Sequence, residues 1–166
     1  MWAEDCRPMD VRDLLVDTHS HLPPAATLAG LSPADAARRV GGVPHSIAEI
    51  VAHMAFWQDW FRRRAAGHAE PMIASAALGW PDVAEEAWPD VRDGFVEGLE
   101  QLARVVEQLD PEAPIAPAFE FPMLAGYTAR DVWEHVGQHN AHHLGQVVIL
   151  RQFLGLWPPP AGSYTW

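Results

Sequence analysis

Histidine is concentrated in one short stretch of this chain. Four of its nine histidines lie within HVGQHNAHH, namely His135, His139, His142 and His143. Imidazole nitrogens bind divalent transition metals, and two histidines spaced H-x-x-x-H on a helix can offer both rings to one ion. His139 and His143 have this spacing. The stretch is therefore compatible with a metal site, with a packed or hydrogen-bonded core, or with a solvated helix face.

The apolar stripe of the surrounding helix separates these histidines. Residues three or four apart share a helix face. By this rule His143 falls inside the stripe and His139 at its edge, whereas His135 and His142 fall toward the polar flank, where we expect solvated or supporting side chains. Gln146 is close to the face of His143. The stripe itself consists of Val132, Val136, Val147, Leu150 and Leu154.

A third ligand has to come from another element, because a catalytic zinc site uses at least three protein ligands. His53 is the best candidate. It lies beside Ile50 and Trp57 on the apolar side of a second predicted helix, which starts at the S-x-x-E capping box of Ser46 and Glu49. A bundle brings inward residues of different helices together. The pattern therefore predicts that His53 approaches His139 and His143.

The remaining elements complete a helical bundle. A first helix begins near Met9 and is interrupted by prolines, a short piece follows Ser32, a third helix starts at about Pro89, and the histidine helix runs from Thr128 to about Leu154. The connections 68–87 and 110–127 are long, and only IAPAFEF in the second resembles a strand. We predict an all-α, mainly antiparallel four-helix bundle that forms one domain over residues 1–166, with both connections lining the mouth of its pocket.

Composition excludes several classes of function. The net charge of −11 argues against binding to nucleic-acid phosphates or to an anionic membrane surface. All 11 basic residues are arginine, so a catalytic lysine is excluded. Cys6 is the only cysteine and cannot form an internal disulfide. The acidic N-terminus does not resemble a signal peptide and no long apolar run occurs, so we expect a cytoplasmic protein.

Two motifs together resemble the DinB/YfiT-like superfamily of helical-bundle metalloproteins. PHSIAEIVAHMAFWQDWF, residues 44–61, is similar to the second helix of that family, and HNAHHLGQ, residues 139–146, is similar to its H-x-x-x-H-x-G-Q signature. The similarity extends from about residue 9 to residue 157. It implies that His53, His139 and His143 hold a divalent metal, with zinc and nickel as the expected ions. Open coordination positions would take water or substrate, and Gln146 would orient a ligand.

The resemblance also implies several functions, which the sequence does not separate. Characterised relatives include thiol-dependent enzymes that use bacillithiol, mycothiol or glutathione, and members are often homodimers. A metal-dependent hydrolase and a non-catalytic metal or small-molecule binder of the stress response remain open alternatives. The substrate is expected to be a small molecule. A thiol that carries carboxylates would need an arginine, for which Arg62 and Arg151 are candidates.

LLVDTHSHL, residues 14–22, offers a competing interpretation. It is similar to the D-x-H-x-H motif of metal-dependent amidohydrolases, in which His19 and His21 would bind the metal. Those enzymes are (β/α)8 barrels, which take about 250 residues. This chain has 166 residues and shows no alternation of strands and helices. The helical bundle is therefore preferred, although His19 could still approach its interior.

Overall fold

A computed structural model describes residues 10–18, 20–119 and 122–163. These residues are mostly helical, which confirms the predicted all-α class. Three short helices come first: Val11–Leu15 (α1), Pro24–Leu28 (α2) and Pro33–Ala37 (α3). Three long helices follow: Ile47–Ala65 (α4), Trp88–Val106 (α5) and Ala129–Phe153 (α6). None of the helices described is long and apolar enough to cross a membrane.

The ends of the long helices agree with the sequence signals. Reciprocal capping boxes join Ser46 to Glu49 before α4 and Thr128 to Asp131 before α6. Each box satisfies backbone N–H groups that have no partner within the helix. After α6, Gly155 adopts a positive φ of 71° that a residue with a Cβ would rarely tolerate. The sequence therefore fixes where the helix that carries His139 and His143 begins and ends.

Three short helices, α1, α2 and α3, take the place of the first long helix of a four-helix bundle. Prolines begin α2 and α3, and the Ser32 side chain caps α3. The helix α1 packs against both α5 and α6. At its contact with α6, a Cβ on Gly137 would lie 2.6 Å from Cγ of Leu14, so only glycine allows this approach. The helices α1 and α2 thus pack against α6, whereas α3 packs against α4 and α5.

The two long connections are joined to each other and to α4. Glu70–Pro71 (β1) and Ala118–Phe119 (β2) form a two-residue parallel pair, which is the only strand pairing among the described residues. Arg64 near the end of α4 donates to the carbonyl oxygens of Ala116 and Leu124, each at 2.9 Å. Buried arginine N–H groups require such acceptors. The end of α4 therefore anchors the 110–127 connection.

The core lies between α4, α5 and α6. The helix α4 is central, since it packs against both of the other long helices. Its apolar side chains interdigitate with those of its neighbours, and burial of each large one contributes roughly 1.5–3 kcal/mol. The fully covered members include Ile47, Val51, Met54, Phe61, Phe95, Leu99, Leu102, Val106, Val132 and Val147. This packing fixes the facing sides of α4 and α6, where the histidines lie.

Candidate metal centre

Three histidines meet between α4 and α6. His53 lies in the middle of α4, and His139 and His143 lie one turn apart on α6. Each offers one ring nitrogen, and these nitrogens lie within 4.8 Å of one another. The His53 and His143 side chains are buried and His139 is half-buried. The structure therefore brings together the three histidines that the sequence singled out.

Hydrogen bonds at the rear of each ring indicate which nitrogen carries the proton. Nδ1 of His53 lies 2.5 Å from the carbonyl oxygen of Gly79, and Nδ1 of His143 lies 2.8 Å from Oε1 of Gln146. Nδ1 of His139 makes a longer contact of 3.4 Å with Oδ1 of Asn140. An amide oxygen can only accept, so Nδ1 must donate. In a neutral imidazole this leaves the Nε2 lone pair available for an ion.

The free nitrogens face each other at ligand spacing. Nε2 of His53 lies 3.2 Å from Nε2 of His139. With both protons on Nδ1, no hydrogen bond joins these two lone pairs, and a cation between them would remove their repulsion. Bonds of about 2.0–2.1 Å in a tetrahedral zinc site separate two ligand nitrogens by about 3.3 Å. The donor set, and the spacing of the nitrogens of His53 and His139, are thus compatible with a divalent transition metal.

Burial keeps the three imidazoles neutral. It is the main cause of the lowered pKa of His53, His139 and His143. The pKa of His139 falls to about 4, because its burial is reinforced by the nearby rings of His143 and His53. A metal ligand must be unprotonated. At neutral pH these histidines therefore present lone pairs without first losing a proton.

Trp80 is a site residue that sequence reasoning missed. Its ring lies between the rings of His45 and His53, with centroids 3.9 and 3.7 Å apart and planes within 9° of parallel. It also meets the ring of His143 edge-on at 5.6 Å. Trp80 follows the 3-10 helix Ala76–Gly79 in the 68–87 connection, where no periodicity marks an inward residue. Trp80 therefore packs on the face of the His53 ring, and the carbonyl oxygen of the neighbouring Gly79 binds its Nδ1 edge.

The other histidines of α6 stay outside the cluster. His135 is exposed, and its Nδ1 lies 3.1 Å from the hydroxyl of Tyr127. His142 is also exposed, and its Nε2 lies 3.3 Å from Nε2 of Gln146. Their exposure agrees with the polar flank assigned to them. His45, which directly precedes Ser46, stacks on the ring of Trp80.

Residues of the competing motif do not form a metal site where they are described. Nδ1 of His21 lies 2.9 Å from the carbonyl oxygen of Leu22. His21 is not a member of the three-histidine cluster. His19 and Cys6 lie outside the described residues.

The two candidate arginines are committed to other contacts. Arg151 is buried and donates to the carbonyl oxygens of Thr27 and Leu156. Arg62 pairs with Asp59, with nitrogen–oxygen distances of 2.6 and 3.0 Å. Both guanidinium groups are therefore engaged away from the histidine cluster.

The described residues form an all-α bundle in which three histidines converge from two helices, an arrangement that is compatible with binding a metal ion. Residues 25–147, well over half of the chain, match the model of the DinB superfamily. The chain belongs to this superfamily. No curated protein and no solved structure matches it significantly.

Proposed function

We propose that this protein is a divalent-metal-dependent enzyme whose ion, zinc or nickel, is held by Nε2 of His53, His139 and His143. One observation carries the proposal. All three rings have a carbonyl acceptor at Nδ1, and two of their Nε2 atoms face each other at 3.2 Å. Three protein ligands leave coordination open, which is typical of catalytic rather than structural zinc sites.

The ion would supply Lewis acidity, lowering the pKa of a water or a thiol and so providing a nucleophile at neutral pH. The chain's own residues fix the geometry. Gln146 orients His143 through its amide oxygen, and Gly79 orients His53 through its carbonyl. Trp80 excludes water from one face of His53. These contacts preorganise the three nitrogens, which strengthens binding of the ion.

An open coordination position would permit two reactions. One is hydrolysis, and the other is the transfer of a low-molecular-weight thiol to an electrophile. Both need a position on the ion that an external ligand can occupy. Cobalt-loaded protein titrated with mercaptoethanol tests this directly, because a cobalt–thiolate bond gives an intense near-ultraviolet charge-transfer band. We expect the band in the wild type and its loss in His143→Ala.

The same titration separates the enzyme from a structural site. A coordination sphere closed by a fourth protein ligand would give no thiolate band and no change in the visible cobalt spectrum. That result would contradict the enzymatic proposal while leaving metal binding intact. A protein that binds thiol but turns over no electrophile or ester would instead favour a non-catalytic binder of the stress response.

A further inference from the structure

The segment between β1 and α5 lies against the histidine of α4 and is fixed at both ends. Residues 72–83, called the strap below, follow Pro71, whose carbonyl oxygen accepts a hydrogen bond of 3.0 Å from Nε1 of Trp60. Beyond the strap, Trp88 is fully buried and donates to the carbonyl oxygen of Leu31 at 3.1 Å. The strap is therefore a loop whose two ends are held by the bundle.

Between these ends the strap is attached to the bundle by few contacts. Within the part of the chain that the structure describes, its only hydrogen bond to another element joins the carbonyl oxygen of Gly79 to Nδ1 of His53. Its backbone hydrogen bonds stay within the strap. Met72, Trp80 and Val83 pack on the core, whereas most of its other residues are exposed. Segments with so few buried contacts open locally at a small cost in free energy.

The contacts of Gly79 and Trp80 converge on a single imidazole ring. The ring of Trp80 lies between the rings of His45 and His53, at centroid distances of 3.9 and 3.7 Å. Gly79 presents its carbonyl oxygen to the Nδ1 edge of His53. A Cβ on Gly79 would lie 3.1 Å from Nε1 of Trp57, so this close approach favours glycine. The docked strap thus contacts both the face and the Nδ1 edge of His53.

Both of these contacts should strengthen when an ion binds to Nε2 of His53. An ion withdraws electron density from the ring, so Nδ1–H becomes a stronger donor to Gly79 and the ring becomes more attractive to the electron-rich face of Trp80. Without an ion, the facing lone pairs of His53 and His139 repel each other at an Nε2–Nε2 distance of 3.2 Å. A His53 ring that turns to relieve this repulsion loses its alignment with Gly79. The strap therefore has a reason to dock more tightly on the loaded site than on the empty one.

We propose that docking of the strap is coupled to the ion. Binding at Nε2 of His53 tightens the contacts of Gly79 and Trp80, and a docked strap tightens binding of the ion by the same factor, since such coupling is reciprocal. This inference rests on the metal site of the proposed function and adds a conformational control to it. Trp80 is a positioning residue, because it acts on the ion through His53.

Amide hydrogen exchange followed by mass spectrometry, on metal-free and on zinc-saturated wild type, tests the coupling. We expect zinc to slow exchange in the strap at least about fivefold. Exchange in residues 107–113 should not change, because the backbone hydrogen bonds of that connection reach only α5, itself and the start of α6. Equal slowing in both segments, or no slowing in the strap, would overturn the coupling.

Zinc affinity of strap variants tests the reciprocal effect. Trp80→Ala should weaken zinc binding at least about fivefold and abolish the protection of the strap by zinc. Trp80→Phe keeps an aromatic face against His53 and should restore most of both effects. Leu78→Ala is the matched control, because Leu78 is a strap side chain that is 60% exposed, and it should leave both unchanged.

The outcomes separate the coupling from a structural role of Trp80 and from the metal site itself. A Trp80→Ala protein that is less stable to urea but binds zinc like the wild type would overturn the coupling, as would an equal loss of affinity in Leu78→Ala. Wild-type protein that binds zinc while its strap stays unprotected would overturn this inference alone. Wild-type protein that binds no zinc would overturn the proposed function together with it.

Discussion

The groups that accept a hydrogen bond from Nδ1 of each histidine determine which ring nitrogen faces the proposed metal position. Gln146 is the clearest case, because its Oε1 lies 2.8 Å from Nδ1 of His143 and so selects the tautomer that exposes Nε2. His53 gains the same selection from a backbone oxygen, that of Gly79. Removing such orienting groups typically lowers metal affinity about 10–100-fold. The carbonyl of Gly79 cannot be removed by substitution, which makes Gln146 the residue to test.

Gln146→Leu should weaken zinc binding by about tenfold or more while leaving the stoichiometry unchanged at saturating zinc. The leucine keeps the size of the side chain but cannot accept the proton of His143. Competition with a chromophoric chelator measures the affinity. The control is His142→Ala, which removes the other neighbour of Gln146 without touching a ligand nitrogen and should leave the zinc affinity nearly unchanged. A comparable loss in His142→Ala would mean that the wrong face of α6 had been assigned to the metal.

The helices α4 and α6 position the three histidines, and contacts at the ends of these helices fix where each helix begins and ends. The box of Thr128 and Asp131 starts α6, which supplies two of the three histidines. Arg64 connects the end of α4 to the 110–127 connection through the carbonyls of Ala116 and Leu124. It also lies over the ring of Trp60 at 4.7 Å. The cap is a contact within one turn of helix and the Arg64 anchor joins distant segments, and each should have a measurable effect on stability.

Thr128→Ala should reduce the free energy of unfolding by about 1 kcal/mol, because a backbone N–H of the first turn of α6 loses its acceptor. Urea denaturation followed by circular dichroism gives the value. Ser75→Ala serves as control, since Ser75 precedes a 3-10 helix without making a side-chain capping bond. A loss as large in Ser75→Ala would show that the effect is unrelated to capping.

Arg64→Ala should destabilise the fold more strongly, by about 3 kcal/mol, because a buried and a partly buried carbonyl group lose their donors. Arg62→Ala, which removes only a partly exposed pair with Asp59, should cost less than about 1 kcal/mol. The same denaturation experiment compares them. Equal effects of the two substitutions would contradict the role of Arg64 as an anchor.

The elements also show what sequence patterns can and cannot predict. Capping residues and 3.6-residue periodicity are local signals. They therefore predicted the helices α4, α5 and α6 and the inward positions of His53, His139 and His143. Trp80 has no such signal, because it lies in a connection and reaches the cluster only through the folding of the 68–87 segment. The pairing of Glu70 with Ala118 was missed for the same reason. Contacts between distant loops depend on tertiary structure rather than on local spacing.

The stability of the whole molecule depends on the protonation state of the three histidines, which the fold keeps neutral. Burial lowers the pKa of His53, His139 and His143. The pKa of His139 falls to about 4. In the unfolded chain each histidine would titrate near about 6.5. Between these values the unfolded state binds more protons than the folded state, so stability falls as the pH is lowered. Above the unfolded pKa this contribution is constant.

Chelator-treated protein should therefore lose stability between about pH 6.5 and about pH 4. Urea midpoints measured across this range would show a slope that is shallower in His139→Asn, which removes the group with the largest shift. An identical slope in both proteins would mean that His139 is not desolvated in the folded state. The comparison is made without metal, since an ion would itself stabilise the fold.

Metal content is the measurement that tests the central claim most directly. Protein purified without an affinity tag, as wild type and as His53→Ala, would be analysed for transition metals by elemental analysis. His53 is the informative residue, because it is the one member of the cluster that α4 contributes. We expect about one ion per wild-type chain and almost none in the variant, with helicity retained in both. No metal in the wild type after reconstitution, or equal content in the two proteins, would contradict a site that joins α4 to α6.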